Sequence, residues 1–98
     1  MAFKVVTTKK FEKSAAKTSR WIEKKWSLAS ALKFDKRIEN ILDKLSGNPT
    51  IGRATSKKKI FSFGVTKHNR IYFKVSEDQV TVLDLFESKT NPKRNKYE

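Results

Sequence analysis

The stretch from Lys59 to Glu87, KIFSFGVTKHNRIYFKVSEDQVTVLDLFE, constrains this chain more than any other, because it reads as three consecutive strands joined by two short turns. In the middle strand Ile71, Phe73 and Val75 fall on one side and Arg70, Tyr72 and Lys74 on the other. That is the period-two alternation of a sheet with one face on a core. The preceding run places Phe61, Phe63 and Val65 on one side with Ser62 and Gly64 opposite, and Thr66-Lys67-His68-Asn69 supplies the polar break. Ser76-Glu77-Asp78-Gln79 forms the second turn. The third run, Val80 to Phe86, is apolar on both sides and interrupted only by Asp84, as expected of a strand inside a sheet.

A helical hairpin precedes this sheet. Phe11, Ala15, Thr18 and Ile22 recur at spacings of four, three and four, which predicts a helix from an N-cap at Thr8 to about Lys25, with Trp21 and Trp26 flanking its apolar stripe. Lys9 and Lys10 sit at its N-terminus, where the macrodipole disfavours cations. Ser27 is the N-cap of a second helix running to about Leu45, with a buried stripe of Leu28, Ala31, Phe34, Ile38, Ile41, Leu42 and Leu45. Gly47 caps its C-terminus and Pro49 prevents its continuation. Phe3 to Val6 is a short β-type run, and 50–58 is a polar, cationic loop. The expected fold is therefore α+β with element order β-α-α-β-β-β. In it, a helical hairpin packs on a twisted, mostly antiparallel four-stranded sheet. Residues 1–98 form a single domain, with 88–98 as a short basic C-terminal tail.

Charge is the strongest global signal. Among 98 residues, 23 Lys and Arg against 10 Asp and Glu give a net charge of +13, which implies a polyanionic target, a strongly acidic partner, or both. The absence of cysteine excludes a disulfide framework, a thiolate nucleophile and thiolate-held metals. The carboxylates Glu23, Asp35, Glu39, Asp43, Glu77, Asp78 and Asp84 are scattered without a metal-ligand grouping, so neither a metal nor a cofactor is expected. No apolar run approaches the roughly 20 residues of a membrane span, and MAFKVVTTKK lacks a signal-peptide h-region. A soluble, cytoplasmic protein without a membrane partner is expected.

Trp26-Ser27, Ala31, Phe34, Ile38, Leu45, Pro49 and Gly52, followed by HNRIYFKV and VTVLDLFESKTNPKR, resemble the RelE/ParE superfamily of toxins from bacterial type II toxin–antitoxin, or plasmid stabilisation, modules. The resemblance covers nearly the whole chain. It implies a cognate acidic antitoxin, a toxin–antitoxin hetero-oligomer and one of two activities. RelE-like members cleave mRNA on the ribosome, whereas ParE-like members poison DNA gyrase and carry no known nuclease site. Metal-free RNA cleavage needs a deprotonated 2′-hydroxyl, a stabilised pentavalent phosphate and a protonated leaving oxygen. One histidine rules out a two-histidine mechanism, so Lys, Arg and Tyr must serve.

Matched by position, the resemblance implies Lys59, Arg70, Lys89 and Tyr97 as the catalytic set. Lys89 stands where the family usually has Arg, and Phe61 where a second strand lysine is expected. Lys57, Lys58, His68, Tyr72, Lys74, Lys93 and Arg94 are the accompanying nucleic-acid contacts, with Tyr72 either stacking on a base or covering apolar surface. The first expectation is ribosome-dependent mRNA cleavage. Gyrase inhibition is the alternative, and a non-toxic basic nucleic-acid-binding domain is the third reading.

Overall fold

The computed structural model describes residues 3–87. Along the chain run β1 (Lys4–Thr7), α1 (Lys9–Lys25), α2 (Leu28–Gly47), a 3-10 turn (Pro49–Ile51), β2 (Arg53–Ala54), β3 (Ile60–Gly64), β4 (Asn69–Val75) and β5 (Gln79–Glu87). The helices pack on one face of a sheet ordered β1-β5-β4-β3-β2. β1 runs parallel to β5, and every other pairing is antiparallel. The sheet thus has five strands and not four: Arg53 and Ala54, expected within a loop, pair with Ser62 and Phe61 of β3.

Both N-caps form as their sequences require. Thr8 Oγ1 accepts from the Phe11 N–H at 3.2 Å, and Ser27 Oγ from the Ser30 N–H at 3.1 Å. The Thr8 hydroxyl also lies 3.0 Å from the carbonyl oxygens of both Val82 and Leu83, to which it donates, so the start of α1 is tied to β5. Gly47 is not the cap. α2 continues through it, and Asn48 leaves the helix in an extended conformation (φ −158°) while its N–H still bonds the Lys44 carbonyl. Pro49 explains the shift, because the residue before proline is pushed out of the helical region.

Phe11, Phe34, Ile38, Ile41 and Leu45 from the helices meet Ile71, Phe73, Val80, Val82 and Leu85 from the sheet. Leu28, placed in the buried stripe by its spacing, is 57% exposed, as is Leu32. The burial of α2 begins at Ala31, so the tip of the hairpin carries its apolar side chains beyond the sheet.

A β-bulge in β5 decides which residues share a face. Phe73 pairs with Val82 and Tyr72 with Asp84, leaving Leu83 as the extra residue. Before the bulge Val80 and Val82 point into the core. After it the phase reverses, so that Leu85 enters the core opposite Ile71 while Asp84 and Phe86 lie beside Tyr72 and Arg70. The two-sided apolar character of this run therefore reflects a phase slip as well as a central position. At the same level β1 ends and α1 takes over the edge of β5. There Asp84 accepts from Ser14 Oγ at 3.0 Å and from the Leu85 N–H at 2.8 Å, and its other oxygen lies 3.5 Å from Lys10 Nζ. The lysine at the unfavourable end of α1 thus has a carboxylate partner from the sheet.

Candidate functional site

The sheet face turned away from the helices carries Arg53 of β2, which stands opposite Ser62, and the cations of β4. Arg70 stands opposite Gly64, Tyr72 opposite Ser62, and Lys74 opposite Ile60. Arg70 does not project freely. Its Nε and Nη2 both donate to Ser62 Oγ, at 3.2 and 3.1 Å, and its Nη1 passes so close to Gly64 that a Cβ there would lie 3.3 Å away. Tyr72, expected on an open face, is only 2% exposed, and its ring meets Phe86 edge-on with centroids 6.4 Å apart. Of the two expected roles for Tyr72, its burial matches covering apolar surface. Ser62 beside it is fully buried.

Lys57, Lys58 and Lys59 form an exposed turn at one end of this face. Thr55 Oγ1 accepts from the Lys57 N–H at 3.1 Å and donates to the Ile60 carbonyl at 2.9 Å, and the Val75 N–H bonds the Lys59 carbonyl at 3.1 Å. Closing the turn puts Lys59 in the left-handed region (φ 66°), the one non-glycine residue there among the described residues. For a lysine that conformation costs about 1–2 kcal/mol. Lys74 is exposed near the same end. From Ser62, where the Arg70 guanidinium rests, Lys59 is three residues away, about 10 Å along a strand.

His68 belongs elsewhere. It sits exposed in the turn from Thr66 to Asn69 and lines a groove against α1, with Trp21, Ile22 and Trp26. Phe61, at the position of the expected second lysine, is turned into the core and stacks on Phe73 with centroids 6.0 Å apart. Lys89, Lys93, Arg94 and Tyr97 lie outside the described residues. Among the described residues, no three His, Asp or Glu side chains gather where a metal ion could be held. No described helix is long and apolar enough to cross a membrane.

Sequence reasoning missed the exposure of the hairpin tip. Trp21 and Trp26 are 56% and 71% exposed, so their place beside the stripe of α1 was a signal of surface and not of core.

Known proteins place this arrangement. The backbone is similar to the chromosomal ParDE toxin–antitoxin system of P. aeruginosa (TM-score 0.76, 12% identity, 90% of this chain and 98% of that one). It is also similar to the toxin–antitoxin complex RelBE2 of Mycobacterium tuberculosis (TM-score 0.59, 17% identity, 89% and 99%). A third relative is the E. coli DinJ–YafQ toxin–antitoxin complex (TM-score 0.62, 8% identity, 89% and 93%). At these identities the likeness speaks for the fold. No curated protein matches the chain in sequence. The family model described as the ParE toxin of the type II toxin–antitoxin system parDE matches residues 5–92, nearly the whole length, and the chain therefore belongs to the ParE toxin family, as a toxin of a type II toxin–antitoxin module.

Proposed function

We propose that this toxin acts in the ParE manner, by poisoning DNA gyrase, and that a cognate acidic antitoxin neutralises it. The observation that carries this reading is the chemistry of the outward sheet face. Its central tyrosine is buried, its arginine is held on Ser62, and Phe61 faces the core where RelE-like members place a second lysine. Such a face supplies positive charge for a polyanionic or acidic surface, but among the described residues it brings no general base and general acid together on one phosphate. The match to the ParE model supports the same branch. A net charge of +13 favours fast association with an acidic antitoxin, whose segment gains affinity by wrapping a large area.

The test uses purified full-length protein in two assays. With gyrase and supercoiled plasmid, cleaved gyrase–DNA complexes are expected to accumulate with toxin dose, while mRNA on translating ribosomes stays intact. The opposite pattern, mRNA 5′ ends mapping inside codons with gyrase unaffected, would return the protein to the mRNA-cleaving branch. Activity in neither assay would leave the basic nucleic-acid-binding domain as the reading.

A further inference from the structure

We propose that the side of the helical hairpin facing away from the sheet cations binds a single-stranded stretch of nucleic acid, with bases against Trp21 and Trp26 and phosphates along α2. Two neighbouring grooves make up this surface. The first, about 610 Å³, lies between the C-terminal half of α1, the hairpin tip and the turn around His68, with Trp21, Ile22, Trp26 and Leu85 in its wall. The second, about 620 Å³, continues from it along α2, and Ile22, Ser30 and Thr66 line both.

Charge on α2 is segregated between its flanks. All four of its cations, Lys33, Lys36, Arg37 and Lys44, line the second groove, and none of its three carboxylates does. Asp35, Glu39 and Asp43 follow one another at intervals of four on the opposite flank, near the exposed Leu28 and Leu32. Like charges at this spacing, here Lys33 with Arg37 and Asp35 with Glu39 and Asp43, destabilise a helix slightly. A surface serving solubility alone interleaves the signs. The arrangement instead concentrates positive potential in one groove, where Arg37 donates to the Val65 carbonyl at 3.0 Å.

At 1.5 Å of rise per residue, Lys33 and Arg37 are about 6 Å apart along the helix, and Arg37 and Lys44 about 10 Å apart. That row suits consecutive phosphates of an extended strand. At its end stand two large exposed indoles, with Lys17, His68 and one carboxylate, Glu87, also on the groove wall. A cationic groove leading to open aromatic faces is how proteins hold single strands, by backbone charge and base stacking. An acidic protein helix could use the same cations and rings; what favours a strand is that the cation row runs in line with the two indoles.

The chain's only two tryptophans both line the first groove, so their emission reports on this site without a label. Titrating the full-length protein with oligo(dT) or oligo(rU) of about twelve nucleotides should quench that emission, and the balance between the two sugars tells DNA from RNA. Each of Trp21→Ala and Trp26→Ala should weaken binding about 5- to 100-fold. Lys33→Ala with Arg37→Ala and Lys44→Ala should lower the salt slope by about 2, at roughly 0.7 per phosphate contact on a single strand. Lys33→Gln with Lys44→Gln leaves the Arg37 contact intact and should lower it by about 1.4. Lys57→Ala, Lys58→Ala and Lys59→Ala together should leave the tryptophan quenching in place. Two results overturn the proposal. In one, only the sheet-side triple changes the slope. In the other, an acidic amphipathic peptide quenches the tryptophans while oligonucleotides of equal charge do not, making the groove a protein-docking surface. Because the gyrase assay does not read this groove, either proposal can fail without the other.

Discussion

Gly52 is where the fold tolerates one added carbon least. A Cβ at this position would lie 2.4 Å from Phe73 Cζ, 3.0 Å from Phe73 Cε1 and 3.2 Å from the Phe61 Cβ. Carbon atoms in favourable contact sit about 3.5–4.0 Å apart, so the overlap exceeds an ångström. The Phe73 ring cannot easily swing aside, because it is fully buried and stacked on Phe61. Backbone strain plays no part, since Gly52 is extended at φ −76° and ψ 158°, a conformation alanine adopts freely. Gly52→Ala therefore isolates sterics.

Overpacking of this kind destabilises by about 1–3 kcal/mol, offset by about 0.4–1 kcal/mol from the stiffer unfolded chain. The net loss is about 1–2 kcal/mol, or roughly 4–16 °C in Tm for a domain of this size. Circular-dichroism melts supported by urea titrations measure it. Gly47→Ala is the matched control. Nothing lies within 4 Å of a Cβ there, and the residue is helical, so this variant should gain a few tenths to about 1 kcal/mol. Adding Phe73→Leu to Gly52→Ala should cost less than the sum of the two single changes, because leucine has no atom where Cζ stood. A Gly52→Ala protein melting at or above the parent, or losing no more than Gly47→Ala, would refute the steric account.

Three further outcomes follow from the same geometry. Arg70→Ala should destabilise by about 1–3 kcal/mol by leaving the buried Ser62 hydroxyl without its partner, and a double-mutant cycle with Ser62→Ala should show coupling of about 1 kcal/mol; additive losses would mean the contact is idle. Asp84→Ala removes the acceptor for Ser14 and for the Leu85 N–H and should lower stability by about 1–3 kcal/mol, whereas Lys10→Ala, breaking an ion pair at a half-exposed lysine, should stay within about 1 kcal/mol. Lys59→Gly relieves the left-handed strain and should raise Tm; if the lysine turn contacts the target, growth inhibition at matched expression falls while stability rises, and a fall in both would show that the turn is not strained.

What the sequence disclosed was whatever has its own period. The helix caps at Thr8 and Ser27, the hairpin and the strand pairing around Ile71 and Phe73 all follow from spacing and local hydrogen-bond chemistry, and they form where that chemistry puts them. The features that spacing misplaced depend on where other elements end. Leu28 keeps the three-and-four rhythm of a buried stripe, but the sheet does not extend beneath the first turn of α2.

Arg53 and Ala54 have no strand pattern of their own. They pair with β3 because Gly52 lets the chain lie flat against Phe73.

The surroundings of the candidate site were hidden from the sequence for the same reason. Alternation placed Arg70, Tyr72 and Lys74 on one side, as found, but alternation within one strand does not reveal what neighbouring strands bring to that side. The bulge at Leu83 does so by turning Phe86 and Asp84 toward it. Phe86 then covers an edge of Tyr72, and Ser62 from β3 takes up the guanidinium of Arg70. A strand that looked like an open row of functional groups thus spends its two most specific side chains on packing and hydrogen bonding. Among the described residues, the accessible charge near this face lies with Arg53, the lysines of the 57–59 turn and Lys74, and away from it with the hairpin. It follows that substitutions at Arg70 report on stability as well as on any target. Variants at Lys57, Lys58 and the exposed lysines of α2 separate binding from folding more cleanly.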